Sequence, residues 1–368
     1  MTFSYWYPYL WVLLTGVVCL FINFSRPETD LQGRSVMRWR WVPAVLLMVP
    51  LVLWTAWRPL PFGDSGVYRG FYDVAPTNLS NFWGFLDAQE KDKGYWALEI
   101  IFKSLTGAPY NIFFLFIAVI QATSLILTFR KCSSDYWLSI FLFVASADYL
   151  SWMHNGMRQF IAVTIIFAFL PVLAEKKYGW IAMVIAILFS SQIHLSALLC
   201  IPVVLMAIGK PWNWKTIVFL LATVLIVFFI ERFTNFLADW MEDTQYEAEA
   251  AELSTSTGTN FFRVVFYSIP TLASFFFRKK IEEANNKLIN TCVNLSIASM
   301  GFYIISYFTS GLLIGRLPIY FSLANYILIP WMIEEFFERR SARVIKIGFI
   351  VLYSAFFYYQ VGVTWGLL

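Results

Sequence analysis

Apolar runs of about 20 residues recur from one end of the chain to the other, each long enough to cross ~30 Å of hydrocarbon as a helix. They fall at 5–24, 42–57, 110–129, 136–152, 158–174, 178–192, 195–209, 215–231, 262–277, 288–309, 316–333 and 346–365. Lipid is therefore the expected solvent. Only 14% of the 368 residues are charged, against about 25% in ordinary soluble domains. The runs predict an all-α, polytopic integral membrane helical bundle of about twelve transmembrane helices. They leave no stretch for a separate soluble domain, so residues 1–368 read as a single transmembrane domain. The first run has no basic segment before it and no small-residue cleavage site after it, and is expected to be a retained span.

Alternate loops differ in charge. One set, around 26–40, 130–131, 176–177, 210–215, 278–287 and 339–346, holds 18 of the 27 Lys and Arg residues. The positive-inside rule makes that face cytoplasmic and puts both termini outside. The long outer loops are then about 58–109 and 232–261. The first mixes aromatics such as Phe62, Phe71, Trp83 and Trp96 with charges, a pattern suited to short amphipathic helices at the lipid interface. The second is acidic from Asp239 to Glu252, then Ser- and Thr-rich, and reads as a mobile lid or solvated excursion.

Several chemistries have no support in this pattern. The cytoplasmic loops are short and carry no Gly-rich phosphate loop. A formal charge of +4, with its excess on one face, gives no reason to expect nucleic acid. Cys19, Cys132, Cys200 and Cys292 are scattered, without disulfide or metal spacing, and no cofactor is implied.

Unusual polar residues from distant parts of the chain fall at the outer face on this topology. The first outer loop contributes Asp64, Tyr68, Arg69, Tyr72 and Glu99. The junction of the fourth and fifth runs contributes Asp148, His154, Asn155, Arg158 and Gln159; the next outer turn, Gln192, His194 and Ser196; the start of the eleventh run, Arg316 and Tyr320. Arg158 and Arg316 are basic residues on the side that the cytoplasmic bias disfavours. Either could simply snorkel to headgroups, but two such arginines can also clamp a pyrophosphate bidentately. His194 can bond a hydroxyl or phosphate, or merely pack near a helix start. Asp64 and Glu99 are candidate general bases, or partners in loop salt bridges. His154 and Asp148 are secondary candidates.

The strings GDSGVYRGFY (Gly63, Asp64, Tyr68, Tyr72), then Glu99, NGMRQ (Asn155, Arg158, Gln159), HLSALL (His194, Ser196) and GRLPIY (Arg316, Tyr320) resemble, in order and spacing, the EpsG family of Wzy-like polysaccharide polymerases. The resemblance runs from about Gly63 to Tyr320. It implies an inverting glycosyltransferase that joins undecaprenyl-pyrophosphate-linked oligosaccharide repeat units at the outer, periplasmic face of the bacterial inner membrane, without a metal. By that resemblance Arg158 and Arg316 bind the leaving pyrophosphate, and Asp64 or Glu99 serves as base. His194 and Gln159 orient phosphate or acceptor, and Tyr68, Tyr72, Asn155, Ser196 and Tyr320 line the substrate site. A chain-length regulator of the same pathway is a candidate protein partner. The O-antigen ligases or another lipid-linked-sugar glycosyltransferase, or a flippase or exporter of the same lipid-linked sugars, are the alternatives.

Overall fold

The computed structural model describes residues 4–29, 35–241 and 258–368. The described residues are mostly helical and divide into two compact units. One is built from Met1–Phe169, Leu188–Leu195 and Pro330–Leu368, the other from Leu170–Ile187 and Ser196–Ile329.

The first unit opens with α1 (Trp6–Phe21), an antiparallel hairpin of β1 (Ser25–Thr29) and β2 (Ser35–Trp39), and α2 (Trp41–Ala56). Three short helices follow in the first long loop: α3 (Ser65–Val74), α4 (Phe82–Asp87) and α5 (Lys93–Thr106). Helices here match the expectation, and α3 is strongly amphipathic. Then come α6 (Tyr110–Cys132), α7 (Tyr136–Ala145) and α8 (Met157–Ala168), with the helix Arg339–Phe357 supplied from the far end of the chain. α6 packs against α2 and α8, while α1 and Arg339–Phe357 both pack on α7. α6 starts directly after Pro109 and ends on Arg130 and Lys131, cations placed at the negative end of the helix dipole. Asp135 caps α7, its carboxylate accepting from the Leu138 N–H at 3.0 Å.

The hairpin was not expected from the sequence. It is fastened by Arg130, whose Nε donates to the Trp39 carbonyl, whose guanidinium pairs with Glu28, and whose planar group lies 4.0 Å from the Trp41 ring centre. The expected continuous run 136–152 is also corrected: the helix stops at Ala145, Ala147 takes a left-handed φ of 66°, and the chain resumes as a π-helical turn, Tyr149–Asn155. Ser146 supplies the physical reason. Its hydroxyl donates to the Phe143 carbonyl at 3.0 Å and accepts from the Asp148 N–H at 3.3 Å, so side-chain bonds replace the helical ladder.

The second unit is organised around the helix Lys287–Phe308, against which Phe261–Phe276, Trp214–Phe228 and Cys200–Ala207 pack. Asn286 caps its start by accepting from the N–H groups of Leu288 and Ile289. Buried Asn294 ties it to the turn between Cys200–Ala207 and Trp214–Phe228 by donating to the carbonyls of Ala207 and Lys210. The expected outer loop 232–261 begins instead as a helix, Ile230–Met241, and Trp214–Phe228 meets its first part, Ile230–Asp239, at 93°. The rest of the expected acidic lid, 242–257, lies outside the described residues.

Among the described residues, four helices are long and apolar enough to cross a membrane: Tyr110–Cys132, Met157–Glu175, Lys287–Phe308 and Arg339–Thr364. A fifth is added if the bent pair counts as one span. Other apolar helices, including Trp6–Phe21, Trp41–Ala56 and Phe261–Phe276, are 10–17 residues long. The chain is a helical membrane protein.

Candidate functional site

The segment ahead of α3 folds back onto the turn before α8. Gly63 adopts φ +51°, and a Cβ there would meet the Asn155 Oδ1 at 2.1 Å, so both the turn and the close approach require glycine. The Asp64 N–H donates to that same Asn155 oxygen at 2.7 Å, and the Ser65 hydroxyl donates to the His154 carbonyl at 2.9 Å. Arg58 locks the joint from beneath. It is buried, donates to Ser65 Oγ and the Thr55 carbonyl at 2.8 Å each, and lies over the Phe114 ring. The GDS and HNG strings therefore read each other. Asn155 spends its amide oxygen on chain geometry, and Asp64 begins α3 with a half-buried carboxylate that makes no cap.

A second joint fixes α5. The Gly94 N–H donates to the Gln192 carbonyl at 2.7 Å, and a Cβ on Gly94 would sit 2.6 Å from that oxygen. Two residues earlier Asp92 takes a left-handed φ of 57° at the N-terminal end of α5. These features carry its carboxylate under the start of α8 and beside the 192–194 turn. Asp92 Oδ2 lies 3.1 Å from Arg158 Nη1, and its Oδ1 lies 3.8 Å from His194 Nδ1. The Asp92 side chain is 3% exposed, whereas Arg158 and His194 keep part of their surface open. The anion is thus buried and its cationic partner faces outward. The Arg158 guanidinium also lies 5.7 Å from the ring centres of Tyr68 and Trp96 and 5.8 Å from that of Tyr95, a cation–π cage that restricts its orientation.

Tyr95, Glu99 and Lys103 follow at helical i, i+4 spacing on α5. Glu99 is 1% exposed, and among the described residues neither carboxylate oxygen has a partner of ordinary hydrogen-bond geometry, although the Tyr95 hydroxyl lies close. Burial pushes its pKa up to about 7, against the pull of the Tyr95 hydroxyl and the charges of Lys103 and Arg158. A carboxyl poised near neutrality beside a held arginine can accept a proton from a substrate hydroxyl while the arginine takes up negative charge.

The first unit therefore brings together Tyr68, Glu99, Arg158 and His194. Tyr72 is committed elsewhere: its hydroxyl donates to the Ala108 carbonyl at 2.8 Å and its ring stacks on Phe113. Gln159 and His154 are buried, and burial together with Arg58 holds His154 neutral. In the second unit the hydroxyls of Ser196 and Tyr320 are 3.0 Å apart. Arg316 ends a short 3₁₀ turn, Ile314–Arg316, four residues before Tyr320 and half-buried.

Two residues central to this geometry are absent from the sequence-based set. Asp92 stands in the charged run Glu90–Lys93, which reads as solvated, and the glycine two residues on is its only signal. Arg58 sits at the end of an apolar run, where snorkelling is the ordinary reading.

The EpsG family model matches residues 41–364, a span that contains every one of these residues. No curated protein and no solved structure matches the chain.

Proposed function

The chain belongs to the EpsG family, and from that premise we propose that it is a polysaccharide polymerase, an inverting glycosyltransferase acting on polyprenyl-pyrophosphate-linked oligosaccharides. One observation carries the proposal: buried Asp92 pairs with Arg158, whose charge reaches Glu99, a carboxyl whose pKa lies near neutrality.

In the reaction, Glu99 takes the proton from a hydroxyl of the acceptor repeat unit. The hydroxyl oxygen attacks the anomeric carbon of the donor from the side opposite the pyrophosphate. The bond from that carbon to the pyrophosphate oxygen breaks, and the electron pair leaves with the polyprenyl pyrophosphate. Arg158, prevented from swinging by Asp92 and its aromatic cage, neutralises the charge that grows on the leaving oxygen. His194 supplies a hydrogen bond to the same phosphate or to the acceptor. Asp64 remains the alternative base, and its half-buried, uncapped carboxylate leaves it available. Arg316 takes its pyrophosphate role from the family resemblance alone.

The same reading places the site at the outer face of a bacterial inner membrane, with about twelve membrane crossings and both termini outside. It is supported by the spread of basic residues over alternate loops. The donor is undecaprenyl pyrophosphate carrying the repeat unit, and a chain-length regulator is the expected protein partner.

The test is turnover by the purified protein of synthetic undecaprenyl-pyrophosphate-linked repeat units. A ladder of longer lipid-linked products supports the polymerase. Movement of the same lipid across vesicles without any ladder replaces it with a transporter, and transfer of one unit to a lipid A core acceptor replaces it with a ligase.

A further inference from the structure

A cavity of the first unit lies at the end remote from Arg158. The two ends of α1 mark the two faces. Tyr5 meets Phe62 with the rings tilted by 41°, and Phe62 in turn meets His154 and Trp365, whereas the other end of α1 opens into a cavity of about 680 Å³. That volume falls within the usual range of ligand sites, about 300–1,000 Å³. The end of α1, the start of α7, β2 and the first half of Arg339–Phe357 enclose it, so its walls come from the loops with excess Lys and Arg.

Its lining has two parts. Leu13, Val17, Leu20, Ile347 and Ile350 form an apolar wall that continues the lipid-facing surface of α1, where Val17 and Leu20 are exposed. Arg38, Arg130, Arg343 and Lys346 form a basic mouth. The acidic residues in the lining are Asp135 and Glu334, and Asp135 is taken by Lys346. Glu28 serves three arginines at once: Arg26 at 3.0 Å, Arg130, and Arg38 only at 3.9 Å. Arg343 is exposed and makes no ion pair among the described residues. Counting Arg26, Arg38, Arg130, Arg343 and Lys346 against Glu28, Asp135 and Glu334, the mouth keeps an excess of positive charge beside the apolar wall.

We infer that this cavity binds an anionic phospholipid of the cytoplasmic leaflet, its phosphate on Arg38 and Arg343 and its acyl chains along α1 and Ile347. A free anion would have no use for the apolar wall, and a lipid without net charge would leave the excess positive charge at the mouth unbalanced. The leaflet follows from the orientation proposed above; the site does not depend on the reaction assigned to Arg158 and Glu99.

The experiment uses the full chain, purified in mild detergent, stripped of lipid and titrated separately with phosphatidylglycerol and phosphatidylcholine, with bound lipid counted by native mass spectrometry. Phosphatidylglycerol is expected to be retained at least about fivefold better, since one arginine near a phosphate contributes roughly that factor. Arg38→Gln combined with Arg343→Gln should remove the preference and leave phosphatidylcholine retention unchanged. Val17→Trp, which fills the apolar half at an exposed position, should lower phosphatidylglycerol retention and carries the test if the double variant does not fold. Equal retention of the two lipids overturns the proposal, as does a preference that survives the double variant, retention unaffected by Val17→Trp, or full displacement by millimolar inorganic phosphate, which would mark a free-anion site.

Discussion

Asp92 pairs with Arg158 at 3.1 Å from beneath, with its own side chain 3% exposed and that of the arginine partly open. The arrangement fixes a cation without consuming it. A guanidinium with several donors can give one face to a buried carboxylate and keep the rest for a ligand phosphate. His194 Nδ1 lies 3.8 Å from the other oxygen of Asp92, so the carboxylate holds the arginine directly and neighbours the imidazole, which it attracts only when that ring is protonated.

Asp92→Asn should therefore reduce turnover by up to ~100-fold, the effect of letting a charged group drift by about an ångström. The loss should appear in kcat more than in KM if Arg158 acts on the leaving group. Breaking a buried pair also destabilises, by about 3–5 kcal/mol, so thermal unfolding in detergent must accompany the kinetics. Unchanged turnover in a folded variant would deny Asp92 its positioning role.

Arg158→Lys tests whether charge alone suffices. Lysine keeps the charge but loses the planar fork that fits both Asp92 and the cage of Tyr68, Tyr95 and Trp96. Turnover should fall by ~10²- to 10³-fold, close to the loss in Arg158→Ala. Product ladders on gels would read this directly, and a lysine variant near parental activity would point to a simple point charge.

Glu99 predicts two pH effects of opposite direction. As a base it must be ionised, so kcat/KM should rise with pH through about 7 and the rise should vanish in Glu99→Gln. For stability, burial raises the carboxyl from 4.5 to about 7 in the folded chain. Between those values the folded protein holds a proton that the unfolded chain has released. Stability therefore falls as pH climbs from about 4.5 to about 7, by up to ~3 kcal/mol, and levels off above. Melting temperatures of parent and Glu99→Gln should diverge over that interval, the glutamine form being the more stable at pH 8. Parallel curves would place Glu99 in water.

Much of the scaffold was legible because lipid imposes one rule on every span. The run expected at 110–129 is the helix Tyr110–Cys132, and that at 288–309 is Lys287–Phe308. Hydropathy fails where local bonds override it. No apolar average registers the Ser146 hydroxyl, whose two hydrogen bonds break the run 136–152, or Arg130, which fastens a polar strand pair by its side chain. The site divides in the same way. Arg158, His194 and Glu99 stand out as polar residues in apolar or aromatic surroundings, but Asp92 hides among charged neighbours and is recruited by the left-handed turn ahead of Gly94. Tyr72 shows the converse: its place in the GDSGVYRGFY string marks it for substrate, while its hydroxyl is already bonded to Ala108.

That contrast gives a last prediction, on two tyrosines of the same α3 string. Tyr72→Phe removes a hydroxyl that donates to the Ala108 carbonyl, where α5 hands over to α6. The acceptor left behind is partly buried, so the change should destabilise the protein by about 1 kcal/mol. It should leave the polymerisation rate within a few-fold of the parent, because the stack on Phe113 remains and Arg158 is untouched. Tyr68→Leu, in contrast, removes one wall of the Arg158 cage and should slow turnover by ~10-fold or more at a similar stability cost, since a cation–π contact of this kind is worth about 1–2 kcal/mol when desolvated. Measuring rate and melting temperature for both variants separates the roles. A catalytic loss in Tyr72→Phe as large as that in Tyr68→Leu would return Tyr72 to the substrate site and make its bond to Ala108 one that opens during turnover.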